Sequence, residues 1–290
     1  MLFTATPPSE EAKRWCCVGR VVALLTDFGV ESVYVGIMKG VILGIAPEAV
    51  VVDVSHGVGK FDVDEGAFLL YVSYRYFPRG TVFVGVVDPG VGSARRGIAI
   101  ESRNYFFVGP DNGLLLPAAE EDGIVKVVSL ENPEFFLKPI SATFHGRDIF
   151  APVAAWIARG VSLEVLGSTI DVRTLARPSL RIGYRRRVGD FLELEVVHID
   201  SFGNVVLGSR FEDVARELGI SRGDIVEVIP GCKGRSFEAV VARSFSDVEP
   251  GRMIFYQDSF DMAELALNRG SASDLLEVSR GSKVCVGRAN

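Results

Sequence analysis

The chain has 290 residues, of which 37 are Asp or Glu and 31 are Lys or Arg, so its formal net charge is −6. With 48% hydrophobic and 23% charged residues it lies in the globular range, which excludes a disordered, collagen-like or highly charged polypeptide. The mild acidity gives no electrostatic attraction to nucleic acid or an anionic membrane, so we expect neither as a partner.

The N-terminal residues and the cysteines bear on where the protein works. We predict a short extension over residues 1–19, because prolines and charges precede any apolar run, which is wrong for a secretory signal. No apolar stretch reaches the roughly 18 residues that cross a bilayer. Cys16 and Cys17 are adjacent while Cys232 and Cys285 stand alone, so no C-x-x-C pair exists for zinc or redox chemistry. We therefore predict a reduced, cytoplasmic protein without a metal.

The first part of the chain, residues 20–178, alternates β-branched runs with helical segments and predicts an α/β domain. The predicted elements are a strand at 20–26, a helix at 33–46, a strand at 49–54, a helix opening at Asp62, a strand at 81–87 and a helix at 149–158. Asp62 and Glu65 have capping-box spacing. Strands that are apolar throughout and separated by helices indicate a mostly parallel central sheet.

The second part, residues 179–290, predicts a smaller β domain. Short β-rich runs lie at 191–199, 204–207, 225–229, 237–242, 253–256 and 284–286, and only residues 211–218 look helical. Such spacing is typical of an antiparallel barrel or a sandwich.

Functional side chains are expected at the carboxyl ends of the parallel strands. Asp27 follows the first strand, where a carboxylate either accepts hydrogen bonds from a ribose diol or belongs to a helix N-cap region. Asp88 follows the third strand in VDPGVGSARRG. The Gly90-x-Gly92 pair there is not a dinucleotide fingerprint, because Arg95 occupies the third glycine position. The plain alternative for this segment is a Pro-Gly turn with solvated arginines.

The three histidines differ in their surroundings. His145, in TFHGRD, precedes an apolar helix and is either an exposed loop site or a structural residue. His198 and Asp200 lack a third metal ligand, so a hairpin turn is a simpler interpretation of their segment than a metal site. His56 ends the second strand and is expected to be architectural.

Together these segments resemble the S-adenosylmethionine hydrolases, also called S-adenosylmethionine hydroxide adenosyltransferases, which are related to fluorinating and chlorinating enzymes. The matching motifs, in chain order, are TDFG (26–29), YVGIMKG (34–40), DVSH (53–56), VDPGVGSARRG (87–97), GPDNG (109–113), TFHGRD (143–148), HIDSFGN (198–204), DSF (258–260) and ELALNRGSA (264–272). They cover nearly the whole chain.

The resemblance implies an N-terminal α/β domain, a C-terminal β-barrel domain and a homotrimer with active sites between subunits. It implies hydrolysis of S-adenosyl-L-methionine to adenosine and L-methionine, without a cofactor, by attack of water or hydroxide on the ribose 5′-carbon. The family's catalytic Asp, Arg and His fall on Asp88, Arg95 and His145. Because methionine leaves as a neutral thioether, no acid is needed, and the difficulty lies in the nucleophile. Asp88 would accept or orient a water proton, Arg95 would hold hydroxide, and His145 would complete the proton path.

The resemblance also implies the substrate contacts. Asp27 is expected to bind the ribose hydroxyls, and Phe61 and Phe144 the nucleoside or sulfonium region. The expected contacts of the second domain are Phe202 and Asn204 with adenine, and Asp200, Ser259, Glu264 and the weaker candidate Tyr256 with the methionine end.

Two positions bear on substrate recognition. Relatives carry an acidic residue where this chain has Ser32, and Phe260 matches the hydrolases rather than the halogenases, which carry arginine there. The alternatives are a halide-dependent transferase on the same scaffold and a non-catalytic S-adenosylmethionine or adenosine sensor. A complete Asp88, Arg95 and His145 set favours water over a desolvated halide.

Overall fold

A computed structural model describes residues 19–289, which form two compact units divided between Pro178 and Ser179. The predicted N-terminal extension, apart from Gly19, lies outside the described residues, as do Cys16 and Cys17. Over residues 19–289, every helix is too short or too polar to pass through a bilayer.

The first unit is built on a six-stranded sheet with the order β2-β1-β3-β5-β4-β6. Its strands are β1 Val21–Thr26, β2 Val50–Ser55, β3 Val82–Val86, β4 Gly97–Ser102, β5 Phe106–Pro110 and β6 Ile124–Ser129. Only β4 runs against the others, because β4 pairs antiparallel with both of its neighbours while the other pairings are parallel. The predicted mostly parallel sheet is therefore confirmed.

Helices cover both faces of this sheet because successive strand residues point to opposite sides. The helices are α1 Val33–Ile45, α2 Val63–Ser73, α3 Leu116–Asp122 and α4 Ala151–Ala158. Val22 and Leu24 pack with α1 and α4, whereas Ala23 and Leu25 pack in a second core with α2 and α3. Two apolar layers thus hold β1 rigidly in the middle of the unit.

Side-chain caps set the starts of the first two helices. Ser32 Oγ accepts from the Tyr34 N–H, and Asp62 accepts from the Glu65 N–H. The Glu65 carboxylate also accepts from the Gly59 N–H (2.7 Å). Glu65 thereby fastens the loop before α2 to the helix.

The second unit is a closed seven-stranded β-barrel with one further strand at its side. Its strands are β7 Arg185–Val188, β8 Phe191–Ile199, β9 Val205–Arg210, β10 Ile225–Pro230, β11 Phe237–Val241, β12 Met253–Gln257, β13 Met262–Leu267 and β14 Lys283–Arg288. The pairing of β14 with β8 closes the barrel, and β7 pairs only with β8. Of the two predicted β architectures, the barrel is correct, but it is not wholly antiparallel, because β11 and β12 pair in parallel.

The barrel unit contains two α-helices among the described residues, α5 Phe211–Leu218 and α6 Ala272–Leu276. The prediction that only residues 211–218 are helical is wrong. Five residues are too few to show helical periodicity in a sequence, and Ser271 starts α6 by accepting from the Asp274 N–H.

The prediction that Cys232 and Cys285 stand alone is also wrong, because they form a disulfide with their Cα atoms 4.9 Å apart. The antiparallel register sets Cys285 of β14 opposite Ile229 of β10, and the turn that follows Pro230 brings Cys232 back toward it. Residues 53 positions apart are adjacent only after the barrel closes. The disulfide also argues against a fully reduced protein.

We predict that reducing this disulfide destabilises the barrel unit. Opening the loop returns chain entropy to the unfolded state, about 4 kcal/mol for a loop of this length. Chemical unfolding with and without a thiol reductant measures the loss, and Cys232→Ser with Cys285→Ser should unfold like the reduced wild type. Equal unfolding midpoints with and without reductant in the wild type would contradict the prediction.

Candidate active site

Two carboxylates lie together at the carboxyl edge of the first sheet. Strands β1 and β3 are parallel neighbours, and Thr26 pairs with Val86 at their ends. Asp27 follows Thr26 directly, and Asp88 comes two residues after Val86. Parallel neighbours therefore place both acids at one edge, as the sequence predicted.

Asp88, Arg95 and His145 are in direct contact. The Arg95 guanidinium donates to both oxygens of Asp88, from Nε at 2.8 Å and from Nη2, and Nη2 also lies 3.0 Å from His145 Nδ1. Arg95 and Asp88 side chains are only 12% and 6% exposed. Such a two-pronged, largely desolvated pair is both strong and directional.

The hydrogen bond from Arg95 sets the proton of His145. Guanidinium groups only donate, so Nδ1 must accept and the neutral ring carries its hydrogen on Nε2. Burial lowers the pKa of His145, and the Arg95 charge lowers it further, while Asp88 and Asp148 act in the opposite direction. His145 is therefore neutral near pH 7 and presents an N–H donor. Arg95 has one more such donor, since Nη1 has two hydrogens and one of them reaches the Arg96 carbonyl.

A close backbone approach brings His145 to the loop of residues 87–97, which we call the Asp88 loop. Gly92 in this loop has a φ of +78°, and a Cβ there would lie 2.5 Å from the Ala142 carbonyl oxygen. Only glycine fits this contact. His145 itself is half-buried and immediately precedes a π-helical turn, Gly146–Phe150, that leads into α4.

The loop that carries Asp27 is held by a buried imidazole. His56 Nδ1 lies 2.9 Å from Thr26 Oγ1, and its Nε2 lies 2.9 Å from Asp53, which also pairs with Lys39 at 2.6 Å. Burial raises the pKa of Asp53, but its bonds to Lys39 and His56 outweigh this and hold the pKa below its usual range. The architectural role expected of His56 fits these contacts.

Phe61 and Phe144 lie at the same end of the first unit as Asp27. The Phe61 N–H donates to Asp27 Oδ2 at 2.8 Å, while the Phe61 ring is 69% exposed. Phe144 packs edge-on against Phe28 and Tyr34, with ring centroids 6.0 and 4.9 Å away. The exposed Phe61 ring offers an unpacked aromatic face beside the carboxylate.

The remaining predicted site residues gather in one pocket of the barrel unit. They are Asp200, Phe202, Asn204, Tyr256, Ser259 and Glu264. The antiparallel register of β9 and β13 sets Val205 opposite Leu265 and Met262 opposite Arg210, so the loop before β9 and the loop before β13 lie at opposite ends of this strand pair, and the pocket is lined by both loops and by Glu264 of β13. The described residues contain no group of three side chains suited to a metal ion in either unit.

These two loops are built in the same way from the same tripeptide, Asp-Ser-Phe. Asp200 Oδ1 accepts from the N–H groups of Phe202 and Asn204, both at 2.9 Å. Asp258 Oδ1 accepts from the N–H groups of the residues two and four positions later, both at 2.7 Å. Each aspartate thus fixes its own turn and presents a phenylalanine at the pocket.

Asp258 is a pocket residue that the sequence analysis missed. Burial raises its pKa, and its Oδ2 is buried without a hydrogen-bond partner among the described residues. The repeated Asp-Ser-Phe tripeptide at 200–202 and 258–260 was the signal that could have revealed it.

Glu264 and Tyr256 form a buried pair at the pocket wall, with the tyrosine hydroxyl donating to the carboxylate. Burial raises the pKa of Glu264 to about 7. The hydrogen bond from Tyr256 lowers this pKa, whereas the negative charges of Asp258 and Asp200 raise it further. Burial together with this bond also raises the pKa of Tyr256.

We predict that Glu264 makes the barrel less stable as the pH rises. A carboxyl whose pKa is raised on folding stabilises fully below its unfolded value, here 4.5, and this contribution is lost by about pH 7. Glu264→Gln removes the titration, so its stability relative to wild type should rise by up to about 3 kcal/mol across that window. Unfolding free energies at several pH values measure the difference. The exposed Glu238→Gln serves as control, and parallel profiles for wild type and Glu264→Gln would refute the prediction.

Both units match the models of one protein family. Residues 22–167 match the family model described as the SAM hydroxide adenosyltransferase N-terminal domain, and residues 194–285 match the C-terminal domain of the same family. The (R)-S-adenosyl-L-methionine hydrolase of Salinispora arenicola is 39% identical over 269 residues, which is 91% of this chain and 97% of that protein. A fluorinase of Nocardia brasiliensis is more distant, at 27% identity over 92% of this chain and 96% of its own length.

A solved structure has the same fold. The crystal structure of an uncharacterized conserved protein from Thermotoga maritima superposes with a TM-score of 0.85 at 39% identity, covering 92% of this chain and all of that one. Both units therefore have family counterparts, and the chain belongs to the SAM hydroxide adenosyltransferase family.

Proposed function

We propose that the protein hydrolyses (R)-S-adenosyl-L-methionine to adenosine and L-methionine. The observation that carries this proposal is the contact between Asp88, Arg95 and His145 at the sheet edge. It is supported by the 39% identity to a protein named as the corresponding hydrolase. The stereochemistry at sulfur follows that relative's name.

The donors around Arg95 suit a hydroxide nucleophile. In the proposed reaction, hydroxide oxygen bonds to the ribose 5′-carbon as the carbon–sulfur bond breaks, and the electron pair leaves on a neutral thioether. Both Asp88 oxygens and His145 Nδ1 already accept from Arg95, so the N–H groups at His145 Nε2 and Arg95 Nη1 are the donors that we assign to an incoming oxygen anion. Asp88 with Arg95 carries no net charge, so adding hydroxide creates one negative charge opposite the sulfonium. In-line placement supplies a large part of the remaining acceleration.

The substrate contacts implied by the family resemblance are carried forward as proposals. Asp27 uses Oδ2 for the Phe61 N–H, which leaves Oδ1 for a ribose hydroxyl. Phe61 and Phe144 offer aromatic faces to the nucleoside or the sulfonium. In the barrel pocket Asn204 and Phe202 take adenine, while Ser259, Glu264 and Tyr256 take the methionine end. Asp200 is occupied by its own turn, so we add Asp258, with its unpartnered oxygen, as a partner for the ammonium group.

We also propose that the protein works as a homotrimer with active sites between subunits. Val33, Tyr34, Ile37 and Leu43 on α1 are 39–70% exposed, which supports burial of this helix by another copy. Sedimentation equilibrium should give a mass near three times 31.4 kDa, and a monomer would contradict this part of the proposal.

The cytoplasm is carried forward as the proposed compartment. The Cys232–Cys285 disulfide argues against this compartment, because disulfides are uncommon where the environment is reducing. Thiol trapping after cell fractionation measures both the location and the redox state.

The deciding experiment incubates the purified protein with each sulfonium epimer of S-adenosyl-L-methionine in oxygen-18 water, with and without chloride or fluoride. Hydrolysis predicts adenosine labelled at the 5′-oxygen and an equal amount of methionine from the (R) epimer. A 5′-halogenated nucleoside would establish the halide-dependent alternative. Binding without either product would leave the sensor alternative.

We predict that Asp88→Ala and His145→Ala lower turnover far more than they weaken binding. Removing a group that holds or activates the nucleophile costs about 10²–10⁴-fold in kcat. Steady-state rates and calorimetric binding of S-adenosylmethionine separate the two effects. Glu238→Ala, which removes an exposed acid of the barrel unit, is the control. Equal losses in rate and affinity would move these residues from catalysis to binding.

A further inference from the structure

The motif GPDNG, residues 109–113, is one that the proposed chemistry does not use. It begins with the last two residues of β5 and then places Asp111 and Asn112 beside the two ends of the Asp88 loop. The Asp111 side chain is only 6% exposed, which is unusual for a turn residue that serves solvent alone.

Asn112 holds the start of the Asp88 loop. Its side-chain amide donates to the carbonyl of Val87 at 2.7 Å, and its Oδ1 accepts from the Leu114 N–H at 3.2 Å. Val87 directly precedes Asp88, so this bond fixes the backbone from which the Asp88 carboxylate extends.

Asp111 holds the end of the same loop. Its Oδ2 accepts from Arg96 Nε at 3.0 Å and Nη2 at 2.5 Å, and its backbone N–H donates to the Arg96 carbonyl at 3.0 Å. Its Oδ1 accepts from the Ala176 N–H at 2.9 Å, and Arg96 Nη2 also reaches the Thr174 carbonyl at 2.8 Å. Arg96 directly follows Arg95, so the backbone of Arg95 is fixed as well.

We propose that Asp111 and Asn112 are positioning residues that hold Asp88 and Arg95 in register with each other and with His145. A bidentate pair between side chains seven residues apart keeps its geometry only if both backbones stay in place. The bond between Asn112 and Val87 and the bonds between Asp111 and Arg96 keep both backbones in place, because Asp111 and Asn112 are adjacent residues. A shift of either end of the loop would move Asp88 relative to Arg95. The claim that this positioning supports hydrolysis rests on the proposed function. The claim that Asp111 and Asn112 hold Asp88 and Arg95 in place does not.

The proposal predicts a particular kinetic change. In Asp111→Ala and Asn112→Ala, kcat for S-adenosylmethionine should fall about 10- to 100-fold, because small displacements of reacting groups have effects of this size. The KM should stay within about twofold, since the proposed substrate-binding residues lie outside the Asp88 loop. Glu120→Ala, which removes an acid paired with Arg177 in the same unit, is the matched control and should leave both constants unchanged.

A second measurement does not need activity. The groups that act on His145 are Arg95, which lowers its pKa, and Asp88 and Asp148, which raise it, in addition to burial. A loosened Arg95 lowers the pKa of His145 less, so this pKa should rise in Asp111→Ala and Asn112→Ala. Proton NMR titration of the three imidazoles, with His145 assigned by its loss in His145→Gln, reads this pKa directly.

The outcomes separate this proposal from the proposed function. An upward shift of the His145 pKa in both variants, absent from the Glu120→Ala control, supports it even if the wild type fails to hydrolyse S-adenosylmethionine. Folded variants with an unchanged His145 pKa overturn it, and so does a raised KM with an unchanged kcat. If Asp111→Ala does not fold, Asp111→Asn keeps an acceptor for the Ala176 N–H while removing the charge opposite Arg96, and the same criteria apply.

Discussion

The guanidinium of Arg95 is the group on which the arrangement of the first unit depends. It donates hydrogen bonds to both oxygens of Asp88 and to Nδ1 of His145. Its Cζ also lies 5.3 Å from the centroid of the Phe150 ring. One cation therefore orients an acid, sets the tautomer of an imidazole and packs against the start of a helix. Much of the surrounding structure serves to hold it there: glycine at position 92, the π-helical turn after His145, and the bonds that fasten both ends of the Asp88 loop.

The candidate sites of the two units differ in their charged groups. The first unit supplies a pre-oriented set of donors with little net charge, which is suited to stabilising an anion without a metal. The barrel pocket has the opposite character, with three carboxylates, Asp200, Asp258 and Glu264, and aromatic side chains. In the function we propose, the cationic sulfonium and ammonium groups of the substrate suit the carboxylates of the barrel pocket, and hydroxide suits the donors of the first unit.

Sequence patterns predicted the parts of this structure that arise from local periodicity. The bounds of β8 and α5 agree with the predicted 191–199 and 211–218, because an uninterrupted apolar alternation and an amphipathic eight-residue segment are local signals. The position of Asp27 and Asp88 at one edge followed from the rule for parallel strands. The disulfide, the reach of Asp111 to Arg96 and the buried Glu264 were beyond the sequence, since each depends on strand register or burial that exists only after the chain closes. The site roles carried by the family resemblance stay predictions that the proposed experiments test.

The paired Asp-Ser-Phe turns have a consequence for how this scaffold changes over evolution. Each turn is held by its own aspartate and by backbone N–H groups, so its shape does not depend on which side chain follows the serine. Phe202 and Phe260 are therefore replaceable without refolding the loops that bear them. At position 260 the aromatic contact of this pocket can be exchanged for a charged one while the turn that bears it stays intact.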